Sequence, residues 1–389
     1  MRPIIDTLFK LFLTGPIALG ATSSAGDWVK NISLGVKAHA EGKLDDAEHH
    51  FHEALAIASR TENAGHLART WNNLGAVAHA RGRYQEAEQH YLKAAEYWER
   101  QQEKHGLEYV RLKNNLAVVY RALGKPAEAE PLARETVRLA GTEAAPHTGV
   151  YLRNLAEILR SQGRTDEALN TAKRALEALE ALAERPLLRI AEVRQSMAAI
   201  ESERGNVSEA ERLEGLALAI YEEHLGAEHP RTASTVSNLG HYLMAQSRWT
   251  EARPLLDRAL RIWETTLGPR HPCVAVGLNN LAQWHRAQGE TRLAEPLYRR
   301  ALATWEESLG RKHPDYAKGL INLGELFAMQ QKHRGAEQLF KQALEISRNA
   351  LGEDHPQTQR VLRRLVNLYA AQGRASDLKN VSTTLLPPR

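Results

Sequence analysis

The sequence predicts an all-α fold, a linear stack of helical pairs. Three observations lead there: a repeat with a period near 42 residues, a turn residue at one fixed place in each repeat, and a composition poor in aromatics (6 %). Ala, Leu, Glu and Arg dominate, and these residues lose little side-chain freedom on a helix. The apolar share, 43 % of 389 residues, is enough for two or three ordinary cores. Lys and Arg total 51 against 47 Asp and Glu, a net of +4 that is too mild for a dedicated nucleic-acid arm. The single cysteine, Cys273, excludes an internal disulfide framework and a Cys-based zinc or iron–sulfur site.

The first element is residues 1–26. Arg2 and Lys10 flank Asp6, residues 11–20 are apolar except for Thr14, and residues 21–25 are small. That order is the order of a secretory signal cleaved before Gly26, which would send the protein out of the cytoplasm, to the periplasm in a bacterium. The alternative is an N-terminal capping helix that stays attached, with a cytoplasmic protein. In either case the apolar run is too short to span a bilayer.

Residues 27–383 carry the repeat, and residues 384–389 read as a flexible tail. An Asn-Leu-Gly/Ala triplet or its variant begins at Ser33, Asn73, Asn115, Asn154, Ser196, Asn238, Asn280, Asn322 and Arg364, in steps of 40, 42, 39 and then 42 throughout. Nine residues after each start stands a turn residue: Gly42, Gly82, Gly124, Gly163, Gly205, Ser247, Gly289, Gln331 and Gly373. Five further on comes Ala47, Ala87, Ala129, Ala168, Ala210, Ala252, Ala294 or Ala336, with Leu378 in the ninth unit. Glycine past a helix end adopts the left-handed conformation without a Cβ clash, so each unit reads as helix, turn, helix. From Gly226 onward the motif Leu-Gly-x-x-His-Pro joins successive units at His229, His271, His313 and His355. It stops one helix and starts the next, because Pro at a helix start lacks an N–H that would be unpaired there anyway. The small residue of each triplet and the later Ala are expected where two helices cross closely. Trp98, Tyr221, Trp263 and Trp305, each sixteen residues after the turn, are expected to fill the core between neighbouring units. The unit near 187–224 is degenerate.

This pattern resembles the tetratricopeptide repeat in its long form, as in kinesin light chains and their bacterial stand-alone relatives. Its clearest stretch is His271-Pro-Cys-Val-Ala-Val-Gly-Leu-Asn-Asn-Leu-Ala282 with Gly289 and Ala294. The resemblance implies a right-handed α-solenoid of about nine repeats and a non-enzymatic scaffold that binds a partner protein or peptide in a concave groove. No heptad coiled coil for pairing with a motor chain is present.

On each first helix, the positions −4, 0, +3 and +7 from the triplet start fall opposite the apolar side, and +7 is Ala in six units. An Asn amide offers both a donor and an acceptor to an extended peptide. Asn73, Asn115, Asn154, Asn238, Asn280 and Asn322 are therefore the candidate peptide-binding row, and the resemblance implies the same. The other reading of this row is that each amide bonds the adjacent helix. Arg69, Arg111, Arg121 and Arg160, with Arg153, make the second to fourth units basic, opposed mainly by Glu157. Lys318, Arg360 and Arg363 repeat this near the C-terminus. A basic groove speeds the encounter with an acidic segment, and kinesin-light-chain grooves accept acidic peptides by resemblance.

No phosphate-binding, dinucleotide-binding or serine-hydrolase motif is present, and His52-Glu53 lacks the second histidine of a metalloprotease helix, since position 56 is Ala. No catalysis, cofactor, metal or nucleic acid is expected. A structural protein that self-associates through its solenoid surface is the alternative, with RNA binding a distant third.

Overall fold

The structure, a computed structural model, describes residues 23–100, 106–141, 145–375 and 377. Residues 1–22 of the signal-like segment, Leu378 and the tail lie outside the described residues. Two compact units, Met1–Gln162 and Gly163–Arg389, divide the chain. Among the described residues there are seventeen α-helices and no strand.

The first unit holds α1 (Ser23–Ala40), α2 (Leu44–Arg60), α3 (Ala64–Ala80), α4 (Tyr84–Arg100), α5 (Leu107–Ala122), α6 (Pro126–Ala140) and α7 (Ala145–Ser161). The second holds α8 (Thr165–Glu180), α9 (Leu187–Glu203), α10 (Val207–Leu225), α11 (Pro230–Ala245), α12 (Trp249–Leu267), α13 (Pro272–Ala287), α14 (Thr291–Leu309), α15 (Pro314–Met329), α16 (His333–Leu351) and α17 (Pro356–Ala371). Within each unit consecutive helices pack against one another in pairs, the arrangement of a tetratricopeptide solenoid.

All nine turn residues have positive φ, including the two that are not glycine, Ser247 (61°) and Gln331 (60°). The turn is closed by paired backbone bonds, as where Gly82 N–H donates to His79 O and Arg83 N–H to Ala78 O, both at 2.9 Å. The alanines of the second helices, Ala47 to Ala336, are all fully buried. The small triplet residue meets the side chain four positions beyond that alanine: a Cβ on Gly35 would lie 2.5 Å from Phe51, on Gly75 2.6 Å from Tyr91, and on Gly324 2.6 Å from Phe340. Between successive pairs, Trp263 packs on Gly277 and Trp305 on Gly319, where an added Cβ would come within 3.2 and 2.8 Å.

The His-Pro joints have a further device. His229, His271, His313 and His355 are helix N-caps whose ring Nδ1 accepts the backbone N–H of Arg231, Cys273, Asp315 and Gln357, at 3.1, 3.2, 3.1 and 3.1 Å. The ring thus does the work that Ser or Asp usually does at this position. In the degenerate unit, Glu214 stands where other repeats carry Phe51 or Tyr91. It is fully buried and its Oε1 accepts the side-chain amides of Gln195 and Asn238 at 2.8 and 2.9 Å.

Candidate functional site

The helical register that puts the triplet asparagines in one row also bonds four of the six to the preceding first helix. Asn115 Nδ2 donates to Asn72 Oδ1 (3.1 Å), Asn154 to Asn114 (2.8 Å), Asn280 to Ser237 Oγ (2.9 Å) and Asn322 to Asn279 (2.8 Å). The acceptor is always the residue just before the triplet of the previous repeat. Asn238 is the exception and turns to Glu214 instead. Asn73 finds Ile32 in the acceptor place, and both atoms of its buried amide lack a partner. Asn73 and Asn115 are almost completely enclosed, and Asn154 and Asn322 nearly so. Asn238 is exposed and Asn280 half-buried. The amides are therefore chiefly rungs between first helices. The acceptor positions Asn72, Asn114, Ser237 and Asn279 were missed by sequence reasoning, although the Asn-Asn doublets at 72–73, 114–115 and 279–280 marked them.

The chain matches the tetratricopeptide repeat family over residues 31–99, 66–142, 111–181, 147–223, 231–307, 278–349 and 321–377. It is a tetratricopeptide-repeat protein. Similar solved structures include a Rap protein complexed with Competence and Sporulation Factor (TM-score 0.64, 16 % identity, 85 % of this chain and 88 % of that one). They also include the apo form of the quorum sensor NprR from B. thuringiensis (0.61, 14 %, 84 % and 89 %). BtubC (BKLC) from P. vanneervenii, at 22 % identity, covers 61 % of this chain and 93 % of its own, with a TM-score of 0.46. These likenesses concern the fold. No protein among those with curated descriptions matches the sequence.

In the first unit of this tetratricopeptide array, the predicted arginines differ in how well they are neutralised. Arg160 pairs with Glu157 at 2.9 Å and Arg111 with Glu108 at 3.4 Å. Arg69 and Arg153 make no ion pair among the described residues, and the Nε of each is buried without an acceptor. Arg121 lies near Glu157, Arg160 and Arg153. Burial draws its guanidinium below the usual arginine range, Glu157 opposes this, and the two neighbouring arginines add to it. His79, one repeat earlier at the same register, is pushed down to about 4 by burial, then by Arg121 and His39. This wall holds more positive charge than its carboxylates balance.

In the second unit a groove of about 570 Å³ opens along α13, α15 and α17. Asn280, Gln283, Lys318 and Arg360 line it, and Lys318 is paired with Asp315 at 2.7 Å. Cys273 is not a nucleophile of the usual kind: burial, helped by Asp315, pushes its thiol up to about 11. Among the described residues, no group of three or more His, Cys, Asp or Glu side chains is placed to hold a metal. No described helix is long and apolar enough to cross a membrane.

Proposed function

We propose that this protein is a non-enzymatic interaction scaffold that binds an extended, acidic segment of a partner protein along the faces of its first helices. Tetratricopeptide repeats across the chain support the scaffold. The acidic preference rests on one observation, the surplus of arginine over carboxylate in the first unit, where Arg69 and Arg153 make no ion pair among the described residues. Arg69, Arg111, Arg121 and Arg160 would meet the ligand there, with Arg153 beside them. Buried or half-buried cations without counter-charges are costly, and a ligand carboxylate would relieve that cost through charge-assisted, often bidentate bonds. Of the asparagine row, Asn238 and Asn280 have the surface to reach a ligand, while the enclosed amides would act by holding the first helices in register.

Titration calorimetry with a hexaglutamate peptide tests this. Arg111→Glu with Arg121→Glu should weaken binding by about tenfold or more, as expected for lost charge-assisted bonds. Arg292→Glu, an exposed charge of the second unit, should leave it nearly unchanged. Equal losses in the two proteins would refute the reading.

A further inference from the structure

Successive repeats are tied where the second helix of one meets the turn of the next. The tie joins a carboxylate six residues past one turn residue to a cation one residue past the following turn residue. In the first unit Lys125 donates to Glu88 at 3.1 Å. In the second, Arg248 donates to Glu211 at 2.7 Å, Lys332 to Glu295 at 3.4 Å and Arg374 to Glu337 at 2.5 Å. At the α12–α13 junction both charges are exchanged: Arg253 stands at the place of the carboxylate and Glu290 at that of the cation. A histidine ring bridges them. Arg253 Nη1 lies 3.2 Å from His285 Nε2, and His285 Nδ1 lies 2.6 Å from Glu290 Oε2.

A guanidinium has N–H donors and no acceptor. Nε2 must therefore carry a lone pair toward Arg253, and the ring proton sits on Nδ1, where it is donated to Glu290. The ring is 9 % exposed and stands edge-on to Trp284, over whose indole the Arg253 guanidinium lies at 5.0 Å. The charged groups about it come from three places. Arg253 on α12 is held from behind by Asp257 at 2.8 Å, Glu290 precedes α14, and Arg286, next along α13, turns to Glu325. In three other repeats the same register carries an aromatic ring under the cation of the tie: Tyr120 under Lys125, Phe327 under Lys332 and Tyr369 under Arg374. Only at His285 can that ring gain a charge.

We propose that the α12–α13 junction is a proton-operated latch, closed while the His285 ring is neutral and opened when Nε2 gains a hydrogen. A second ring N–H would face a guanidinium that can only donate, and two cations would meet in a site largely closed to water. Glu290 keeps its bond to Nδ1 in both forms, so the ring stays with α13 and the α12 side lets go. The closed form needs a bare Nε2 and binds one proton fewer than the open form. It is therefore complete at high pH and lost as pH falls. The neighbouring ties are carboxylate–cation pairs that keep both charges over the same range. Because α13 supplies Asn280 and Arg286 to the groove, opening the latch shifts two groove-lining side chains.

Hydrogen exchange on the full chain, corrected for the intrinsic effect of pH on exchange, tests this. Between pH 7.5 and 5.5, the span in which imidazoles change charge, protection of amides 286–294 should fall about tenfold. Protection of the α15–α16 turn, tied by Lys332 and Glu295, should hold. The joint histidines cap α13 and α15 alike, so their titration does not separate the two turns. His285→Phe, which copies the side chain of Phe327 at this register, should make the α13–α14 turn indifferent to pH. Arg253→Glu should reverse the sign, because a carboxylate facing Nε2 favours the protonated ring. Equal protection of the wild-type turn at both pH values would overturn the latch. So would a fall that survives His285→Phe, or one of the same size and sign in Arg253→Glu.

Discussion

Asn322 on α15 donates its amide hydrogen to Oδ1 of Asn279 on α13, 2.8 Å away and 43 positions earlier in the chain. Both residues are buried, so the bond ties two first helices together out of reach of water. Asn73, by contrast, is fully buried with no partner at all. The same substitution should therefore have opposite signs at the two places. Asn322→Leu strands the Asn279 carbonyl and should cost about 1–3 kcal/mol. Asn73→Leu removes an orphan and should be neutral or stabilising. Hydrogen exchange of α3 and α15 amides reads each repeat separately, which a single melting curve of a repeat array does not.

The four histidine caps predict a loss of stability on acidification. Each cap needs a neutral ring, because Nδ1 must accept. Burial lowers the folded pKa of His229, His271 and His313; Arg231 adds to the effect at His229 and Asp315 opposes it at His313. The unfolded chain then binds protons more readily than the folded one. The stabilisation is complete above the ordinary histidine range, about 6.5, and is lost as pH falls from there through the lowered folded values. Melting temperature should drop between pH 7.5 and 5. Replacing these three histidines by Asn, whose side-chain oxygen caps at any pH, should flatten that slope.

Gln331 holds φ at 60° in a turn where seven of the nine repeats use glycine. A side chain costs about 1–2 kcal/mol in that conformation. Gln331→Gly should raise the unfolding free energy of the α15–α16 pair by about 1 kcal/mol, and Gly289→Ala should lower that of α13–α14 by a similar amount, as read by urea titration with exchange-detected protection.

Burial raises the pKa of Glu214 despite the amides of Gln195 and Asn238, which favour its ionised form. A carboxyl whose folded pKa lies above its unfolded value contributes stability at low pH and loses it as pH rises through the folded pKa. Glu214→Gln keeps an oxygen for both amides and has no charge to bury. It should stabilise α9–α11 at neutral pH and make no difference near pH 4. A variant less stable than wild type at pH 7.5 would contradict this.

Much of the architecture was legible because its signals are local and repeat. Seven turn glycines fixed by φ, and alanines fixed by a helix crossing too close for a larger side chain, read the same in every unit. Ser247 and Gln331 could be placed as turn residues only because the period pointed to them. The joint histidines were recognisable as joint residues, yet their role as caps depends on a ring orientation that spacing does not encode. The arginine-rich wall was also visible by residue. Which of its arginines are paired was not, since Arg160 and Arg111 have found carboxylates and Arg69 and Arg153 have not.

The sequence by itself determined that this protein is a run of tetratricopeptide pairs, and which residues turn, cross and join, because those demands act over a few bonds and recur at a constant interval. Only the tertiary structure decided whether an inward amide meets solvent or a neighbouring helix. That depends on small rotations of each helix and on the residue forty or so positions earlier: Ile32 leaves Asn73 alone, while Asn279 gives Asn322 a partner.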